Sequence, residues 1–269
     1  DCIVTDHHLP GDELPPACAI LNPRRKDCTY PEKALAGVGV ALKLAQAMLG
    51  ERLTPRQLES YLKVACLGTI ADVVPLVGEN RVIARFGLQG LGEPSQAGLT
   101  ALLEVSDLTS KPVTTGDVGF RLAPRINAAG RMQDAREVIE LFTTTDRARA
   151  REIAEDLNDL NYSRQKAEEE ILREVLAEVE KNPGRVNRHS LVFAGEGWHR
   201  GVIGIVAQRI VERFYRPTLV LGMENGKAVG SGRSIRGFHL LDALTSAADL
   251  FDRFGGHALN ARQAAGADH

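Results

Sequence analysis

One stretch constrains the fold more than any other. From about residue 147 to 181, Ile153, Leu157, Leu160, Ile171, Val175 and Val179 recur at helical spacing and form one apolar stripe. Thr145 and Asp146 offer a cap, and Asn182-Pro183-Gly184 stops the pattern. At 1.5 Å per residue such a helix is roughly 50 Å long, more than a compact domain needs. It reads as a bridge between two lobes. The chain has 269 residues, which at roughly 150 residues per domain also suggests two domains.

Composition excludes the classes that would fold otherwise. Hydrophobic residues make up 43% and charged residues 25%, ordinary for a globular protein. No apolar run approaches the ~18 residues of a membrane span, and the partner set contains no membrane. The first residues, Asp1-Cys2-Ile3-Val4-Thr5-Asp6, carry neither Met nor a basic segment, so no secretory signal is read there. An apolar strand without a lead-in makes this, by expectation, a piece of a longer protein. Cys2, Cys18, Cys28 and Cys66 form no C-x-x-C pair, and Cys2 and Cys66 read as core thiols, which fits a reducing cytoplasm.

The net charge of −2 announces no nucleic acid, but its distribution is uneven. Residues 137–182 hold 13 acids and 7 bases, whereas residues 183–269 hold 11 bases and 7 acids. Arg accounts for 25 of the 33 basic residues. Arg suits bidentate phosphate contacts, and genomic composition explains the excess equally well.

Along the chain, Cys2–Thr5 reads as a strand ending in Asp6-His7-His8. The proline-rich stretch Leu9–Tyr30 reads as an irregular loop. Helices are expected at Ala34–Leu49 and at Pro55–Leu67, the second with Thr54 as cap and Pro55 in its first turn. Gly68–Pro75 reads as a sharp turn holding Asp72. Glu79–Leu91 and Gly98–Val105 read as helices, and Gly116–Arg131 shows no clear periodicity. Past the long helix, strands are expected at Ser190–Ala194, Pro217–Leu221 and Lys227–Ser234. Helices are expected at Gly201–Phe214 and His239–Phe251, before the turn Gly255-Gly256-His257. The alternation implies an α/β lobe.

Several short segments carry chemistry. Asp6-His7-His8 sits just past an apolar strand, where open α/β sheets place ligand sites. Carboxylate and imidazole together suit Mn²⁺, Mg²⁺ or Zn²⁺. A bare tripeptide of this kind is more often an incidental surface loop; the strand before it and Asp72 tip the reading towards a site. Asp72 lies among apolar neighbours, where a carboxylate is costly to bury unless paired; taken alone it is equally a helix-cap aspartate. Pro124-Arg125-Ile126-Asn127-Ala128-Ala129-Gly130-Arg131 sets two guanidiniums and an amide beside small residues, open to a phosphodiester or simply a solvated loop. Gly230-Ser231-Gly232-Arg233-Ser234 reads as an anion site or a twisted edge strand. Trp198-His199-Arg200-Gly201 precedes a helix N-terminus, which favours anions. Trp198 itself reads as a core residue more readily than as a base-stacking one.

Taken in order, IVTDHH, LGTIADVVPL, PRINAAGR, GWHRGVIGIVAQRIVE, GSGRS and FGGH resemble the RecJ-type single-strand-specific exonucleases of the DHH phosphoesterase superfamily, over residues 1 to about 259. The resemblance implies two α/β lobes, DHH and DHHA1, joined by the long helix with a catalytic cleft between them. It divides the chain into residues 1–135 (part of the DHH domain), 136–184 (the connecting helix region) and 185–269 (DHHA1). It implies 5′-to-3′ degradation of single-stranded DNA with two Mn²⁺ or Mg²⁺ ions, in repair and recombination. A single-stranded-DNA-binding protein and a helicase are the implied partners.

Carried over by residue, Asp6, His7 and Asp72 bind metal, and His7, His8 and Asp72 are catalytic. Arg125, Asn127, Arg131, Ser231, Arg233, Ser234 and His257 face the substrate. Two departures stand out. The family's D-x-D motif and a further aspartate, expected before the DHH strand, are not in the sequence. After Ala258 the family's Ala-Ala-Gly is replaced by Leu259-Asn260-Ala261-Arg262-Gln263. With so few ligands the chain by itself is expected to be inactive or nearly so. The alternatives are a DHH phosphodiesterase of cyclic dinucleotides or very short RNA, disfavoured by the long helix and the GWHRGVIGIVAQRIVE segment, and a non-catalytic single-strand-binding relative, disfavoured by Asp6-His7-His8 and Asp72.

Overall fold

The computed structural model describes residues 1–11, 13–109, 111–224, 226–256 and 259–266, without the side chains of 262–266. The architecture is mixed α/β, as expected. The chain divides into two compact units, Asp1–Gly130 with Asp134–Asn158, and Arg131–Gln133 with Asp159–His269.

In the first unit, β1 (Ile3–Thr5) pairs in parallel with β2 (Ala19–Leu21), Ile3 opposite Ala19 and Thr5 opposite Leu21. β2 lies inside the stretch expected to be irregular. Three apolar residues between prolines are too short for a periodic signal. Cys2, expected in the core, is exposed, because so small a sheet leaves its own edge uncovered.

Helix α1 (Gly37–Leu49) ends at Gly50, whose φ of 51° suits glycine. Helix α2 (Pro55–Ala71) opens on a capping box between Thr54 and Gln57. It continues through Gly68–Ala71, so the sharp turn expected from Gly68 onward begins only at Asp72. Gly68 serves packing instead: a Cβ there would lie 2.8 Å from Val38 Cγ1. Helix α3 (Gly78–Leu91) closes on α2 through Gly87, where a Cβ would fall 2.2 Å from that of Cys66. Cys66 is in the core as expected, and burial pushes its thiol up to about 12.

Helix α4 (Ala97–Glu104) precedes a segment that the sequence left without periodicity. That segment is helical: α5 (Thr115–Asp117), a π turn over Val118–Leu122, and α6 (Ala123–Met132). Pro124 has no N–H to give the carbonyl four residues back, so the helix widens just before it. Small and arginine side chains then hide the apolar repeat. Helix α7 (Arg136–Thr143) was not foreseen; α8 (Arg147–Lys181) was, and the division between the units falls inside it. Asp146 Oδ1 accepts the Ala148 N–H at 2.8 Å at its start. Ile153, Leu157, Ile171 and Val175 are buried along its stripe.

The second unit contains β3 (Leu191–Glu196), α9 (Ile203–Phe214), β4 (Thr218–Glu224), β5 (Lys227–Arg233), α10 (Leu240–Thr245), β6 (Arg253–Gly256) and β7 (Asn260–Gly266). The sheet runs β3-β4-β5-β7-β6, parallel only between β3 and β4. Ile171 and Val175 of α8 pack with Phe193, Val206, Ile210, Val220 and Trp198 in one core. Trp198 is a core residue, admitted by two glycines. A Cβ at Gly195 would lie 2.1 Å from its ring, and one at Gly222 2.2 Å from its carbonyl oxygen. Its Nε1–H donates to Glu174 Oε2 at 2.9 Å. Helix α10 stops at Thr245, short of the expected Phe251; Gly255 and Gly256, expected in a turn, end β6, and β7 begins at Asn260. His257 lies outside the described residues. No helix among the described residues is long and apolar enough to cross a membrane.

Candidate active site

Two clusters hold the predicted residues, one in each unit. The first stands at the C-terminal end of the β1–β2 pair. The Asp6 N–H donates to the Leu21 carbonyl at 3.0 Å, continuing the parallel ladder by one residue. The chain then turns. Asp6 Oδ1 accepts from the N–H of His7 at 2.7 Å and of His8 at 3.2 Å, and lies 2.9 Å from His8 Nδ1. Burial works to raise the Asp6 carboxyl, but these bonds from His8 and His7 hold it below its ordinary value. From the far side, buried Asn22 donates its Nδ2–H to the His8 carbonyl at 2.8 Å. Asn22 was missed in the sequence. Its only signal is its place after a short apolar run and before Pro23.

His7 turns the other way. A Cβ at Gly37, the first residue of α1, would lie 3.2 Å from its ring. Its Nδ1 stands 3.4 Å from Asp72 Oδ2. Asp72 is the C-cap of α2, with its N–H on the Gly68 carbonyl at 3.0 Å. The close approach of α1 and α2 at Gly68 therefore helps to bring residues 7 and 72 together. The Asp72 side chain is 41% exposed, so its apolar sequence neighbours do not bury it, and of the two readings open for it the helix-cap aspartate is the one found. Val74 and its neighbours turn aside after a residue in the left-handed region, Val73, with φ of 57°.

This cluster fits a divalent cation in kind. Imidazole and carboxylate are donors for Mn²⁺, and a carboxylate at a helix C-terminus stands where the helix's own partial charge is negative, so a cation is favoured there. In number the set is small: among the described residues no three His, Cys, Asp or Glu side chains form a metal-holding group. The geometry pairs His7 with Asp72 and Asp6 with His8.

The second cluster surrounds the start of α9. Ser231 on β5 is buried at 5% exposure, and its Oγ accepts from Arg233 Nη1 at 3.1 Å. Arg233 Nη1 also donates to the Gly232 carbonyl at 2.7 Å. Gly204, in the first turn of α9, lies against both: a Cβ there would be 2.8 Å from Ser231 Oγ and 3.0 Å from Arg233 Nη2. Arg131 Nη1 donates to the Gly201 carbonyl at 3.3 Å, just before the same helix. No side chain caps α9. A hydroxyl, two guanidiniums and a helix N-terminus thus gather where an anion is favoured.

The remaining predicted residues stand elsewhere. Ser234 Oγ donates to the Phe238 carbonyl at 2.9 Å, within a loop. Arg125 is half-buried and donates to Asn158 Oδ1 at 3.1 Å and to the carbonyls of Arg121 and Val105 at 2.7 and 3.3 Å. Desolvation lowers its guanidinium from the ordinary value. These bonds tie α6 to α8 and to the end of α4. Asn127 is exposed on α6.

With this geometry in hand, comparison with known proteins is informative. Residues 1–69 match the DHH family, N-terminal domain, and residues 187–268 match the DHHA1 domain. The single-stranded-DNA-specific exonuclease RecJ of Bacillus subtilis (strain 168) is 46% identical over 97% of this chain, which covers 33% of that protein. The crystal structure of RecJ from Thermus thermophilus in complex with Mn²⁺ matches with a TM-score of 0.84 and 38% identity, over 98% of this chain and 38% of that one. The structure of the same exonuclease in complex with Mg²⁺ matches with a TM-score of 0.79 and 34% identity, over 98% and 39%. The chain thus spans about a third to two fifths of these relatives.

Proposed function

We propose that this chain, which the DHH and DHHA1 family models match, carries catalytic parts of a metal-dependent exonuclease degrading single-stranded DNA from the 5′ end. The observation that carries this reading is the meeting of His7 and Asp72 at 3.4 Å across more than sixty residues of sequence. An incidental DHH loop has no reason to stand against the C-cap of a distant helix.

Asp6, His7 and Asp72 would hold Mn²⁺ or Mg²⁺. When bound, the metal neutralises phosphate charge and acidifies a water. His8, bonded to Asp6 through Nδ1, keeps that carboxylate aimed and is placed to act beside the scissile phosphate. Ser231, Arg233 and the N-terminal end of α9 bind a phosphate of the strand, and Arg131 steadies the loop before them. Asn127 offers an exposed amide to the backbone. Arg125 acts from inside by fixing α6, and Ser234 and His257 complete the proposed substrate-binding set. Within this proposal the enzyme would work in the cytoplasm, in repair and recombination, with a single-stranded-DNA-binding protein and a helicase as partners.

The test is hydrolysis of a long 5′-labelled oligonucleotide with Mn²⁺ by a protein that carries this chain, against a duplex and a cyclic dinucleotide. Release of labelled mononucleotide from the single strand alone is expected. Cleavage of the cyclic dinucleotide and not of the strand would move the assignment to the small-substrate phosphodiesterases. Binding without cleavage under every divalent metal would leave a strand-binding scaffold.

A further inference from the structure

Phe120 is the aromatic side chain that the first unit leaves most open. It is 86% exposed, whereas Phe86 is 53% and Tyr61 38% exposed. It stands on the π turn Val118–Leu122, which leads without a break into α6. Such turns recur at functional sites. Asn127 lies seven residues further on, two turns along the same helical path, and is exposed as well. The ground around them is open. A Cβ at Gly119 or at Gly130 would meet nothing within 4 Å. From Val118 to Gln133 the sequence has three arginines and no acid, with Arg121 standing 3.6 Å from Asp107 and 3.7 Å from Asp117 just outside that stretch. Helix α2, which carries Asp72 at its end, packs against this π turn.

We propose that Phe120 is a substrate-positioning residue whose ring stacks on a nucleobase of the single strand. This rests on the exonuclease reading and adds a residue that the sequence motifs did not include. A ring face accepts any base, so the contact gives grip without sequence preference, as a nuclease acting on arbitrary sequence requires. In a duplex the base faces are already stacked on one another. An aromatic platform therefore favours unpaired strands on its own, apart from any steric gate. Exposure explains why the ring contributes little to folding.

The experiment measures binding of a fluorescein-labelled oligothymidine by anisotropy, with EDTA present so that nothing is hydrolysed. Phe120→Ala is expected to weaken binding by about 5- to 50-fold. The melting temperature should stay within about 1 °C of the parent's. The slope of log affinity against log salt should be unchanged, because no phosphate contact is lost. Phe120→Trp should restore binding, with quenching of the added indole by the strand. Equal affinity of Phe120→Ala and the parent overturns the inference and leaves the exonuclease reading standing. A parent that binds no strand overturns both. Lost affinity accompanied by a lower melting temperature, and not restored by Trp, overturns it in favour of a packing role.

Discussion

The two candidate clusters are built on very different supports. The DHH turn leaves a pair of three-residue strands, with Ile3 half exposed beside it. The Ser231–Arg233 cluster stands on β5, paired on both sides within a five-stranded sheet, over a core that contains Phe193 and Val206. Buried backbone on a paired strand leaves a side chain little freedom, so the second cluster is rigid before any ligand arrives. In the first, Asp6 and Asp72 stay around 40% exposed and are oriented by polar contacts alone. Bound cations would complete that order. On the proposed reading, one lobe would offer a preformed anion seat, and the other a set of donors for a metal to gather.

The largest effect that tests this contrast is on stability. Phe193→Ala removes a fully buried ring from the second unit and is expected to cost about 3–5 kcal/mol in denaturant unfolding. Ile3→Ala on β1 is expected to cost under about 1 kcal/mol, since half of that side chain is already in water. Similar losses for both would mean that the β1–β2 pair is as firmly embedded as the large sheet, and the contrast would break.

Next comes His7→Ala. It removes the imidazole that meets Asp72, and hydrolysis by a protein carrying this chain should fall by more than about 100-fold. Its circular dichroism and melting temperature should hardly move, because His7 serves donors and not a core. Unchanged turnover would show the metal site to be misplaced. Binding of a 5′-phosphorylated strand in EDTA should survive this substitution, since the anion seat is independent of metal. Gly204→Ala should do the opposite. Its Cβ would press on Ser231 Oγ at 2.8 Å, so phosphate-dependent strand binding should fall about 10-fold, the scale of one hydrogen bond to a charged group. Metal affinity should stay as it was. A Gly204→Ala protein with parental strand binding would remove the α9 seat from the site.

Much of this contrast was legible in the sequence, unevenly and for physical reasons. Helices with a wide apolar stripe or a firm stop were plain: α8 from Ile153 to Val179, and α2 from the Thr54–Gln57 box. The α5–α6 region was not, because Pro124 and a run of glycine and arginine conceal a helix that a π turn makes possible. β2 and β7 were missed. Three residues between prolines give no period, and a tail departing from the family pattern gave no reason to expect a strand. His7 and Asp72 were joined by the order of motifs, whereas residue-level chemistry alone left Asp72 undecided. What it could not supply was Gly68, which reads as a turn former and in the structure lets two helices close. Arg125 is a different case. Arginine beside small residues suggests a phosphate, yet its bonds go to Asn158 and two carbonyls.

The smallest expected effect concerns the residue that ends α2. Val73 sits at the position after a helix cap where glycine usually takes the left-handed conformation, and it holds φ of 57° with a β-branched side chain that is 86% exposed. Such a conformation costs about 1–3 kcal/mol, and burial of the isopropyl group does not offset it. Glycine would adopt the same backbone without strain, while losing about 0.5–1 kcal/mol through the greater freedom of its unfolded chain. Val73→Gly is therefore expected to stabilise the first unit by about 1 kcal/mol, raising its melting temperature by about 2–4 °C. If the metal lobe is the softer one because its order waits for ligands, the gain should appear in the metal-free protein and shrink when saturating Mn²⁺ holds Asp72 in place. A fall in melting temperature would mean that the valine side chain packs against something, and the helix end would then be held by contacts in place of being strained.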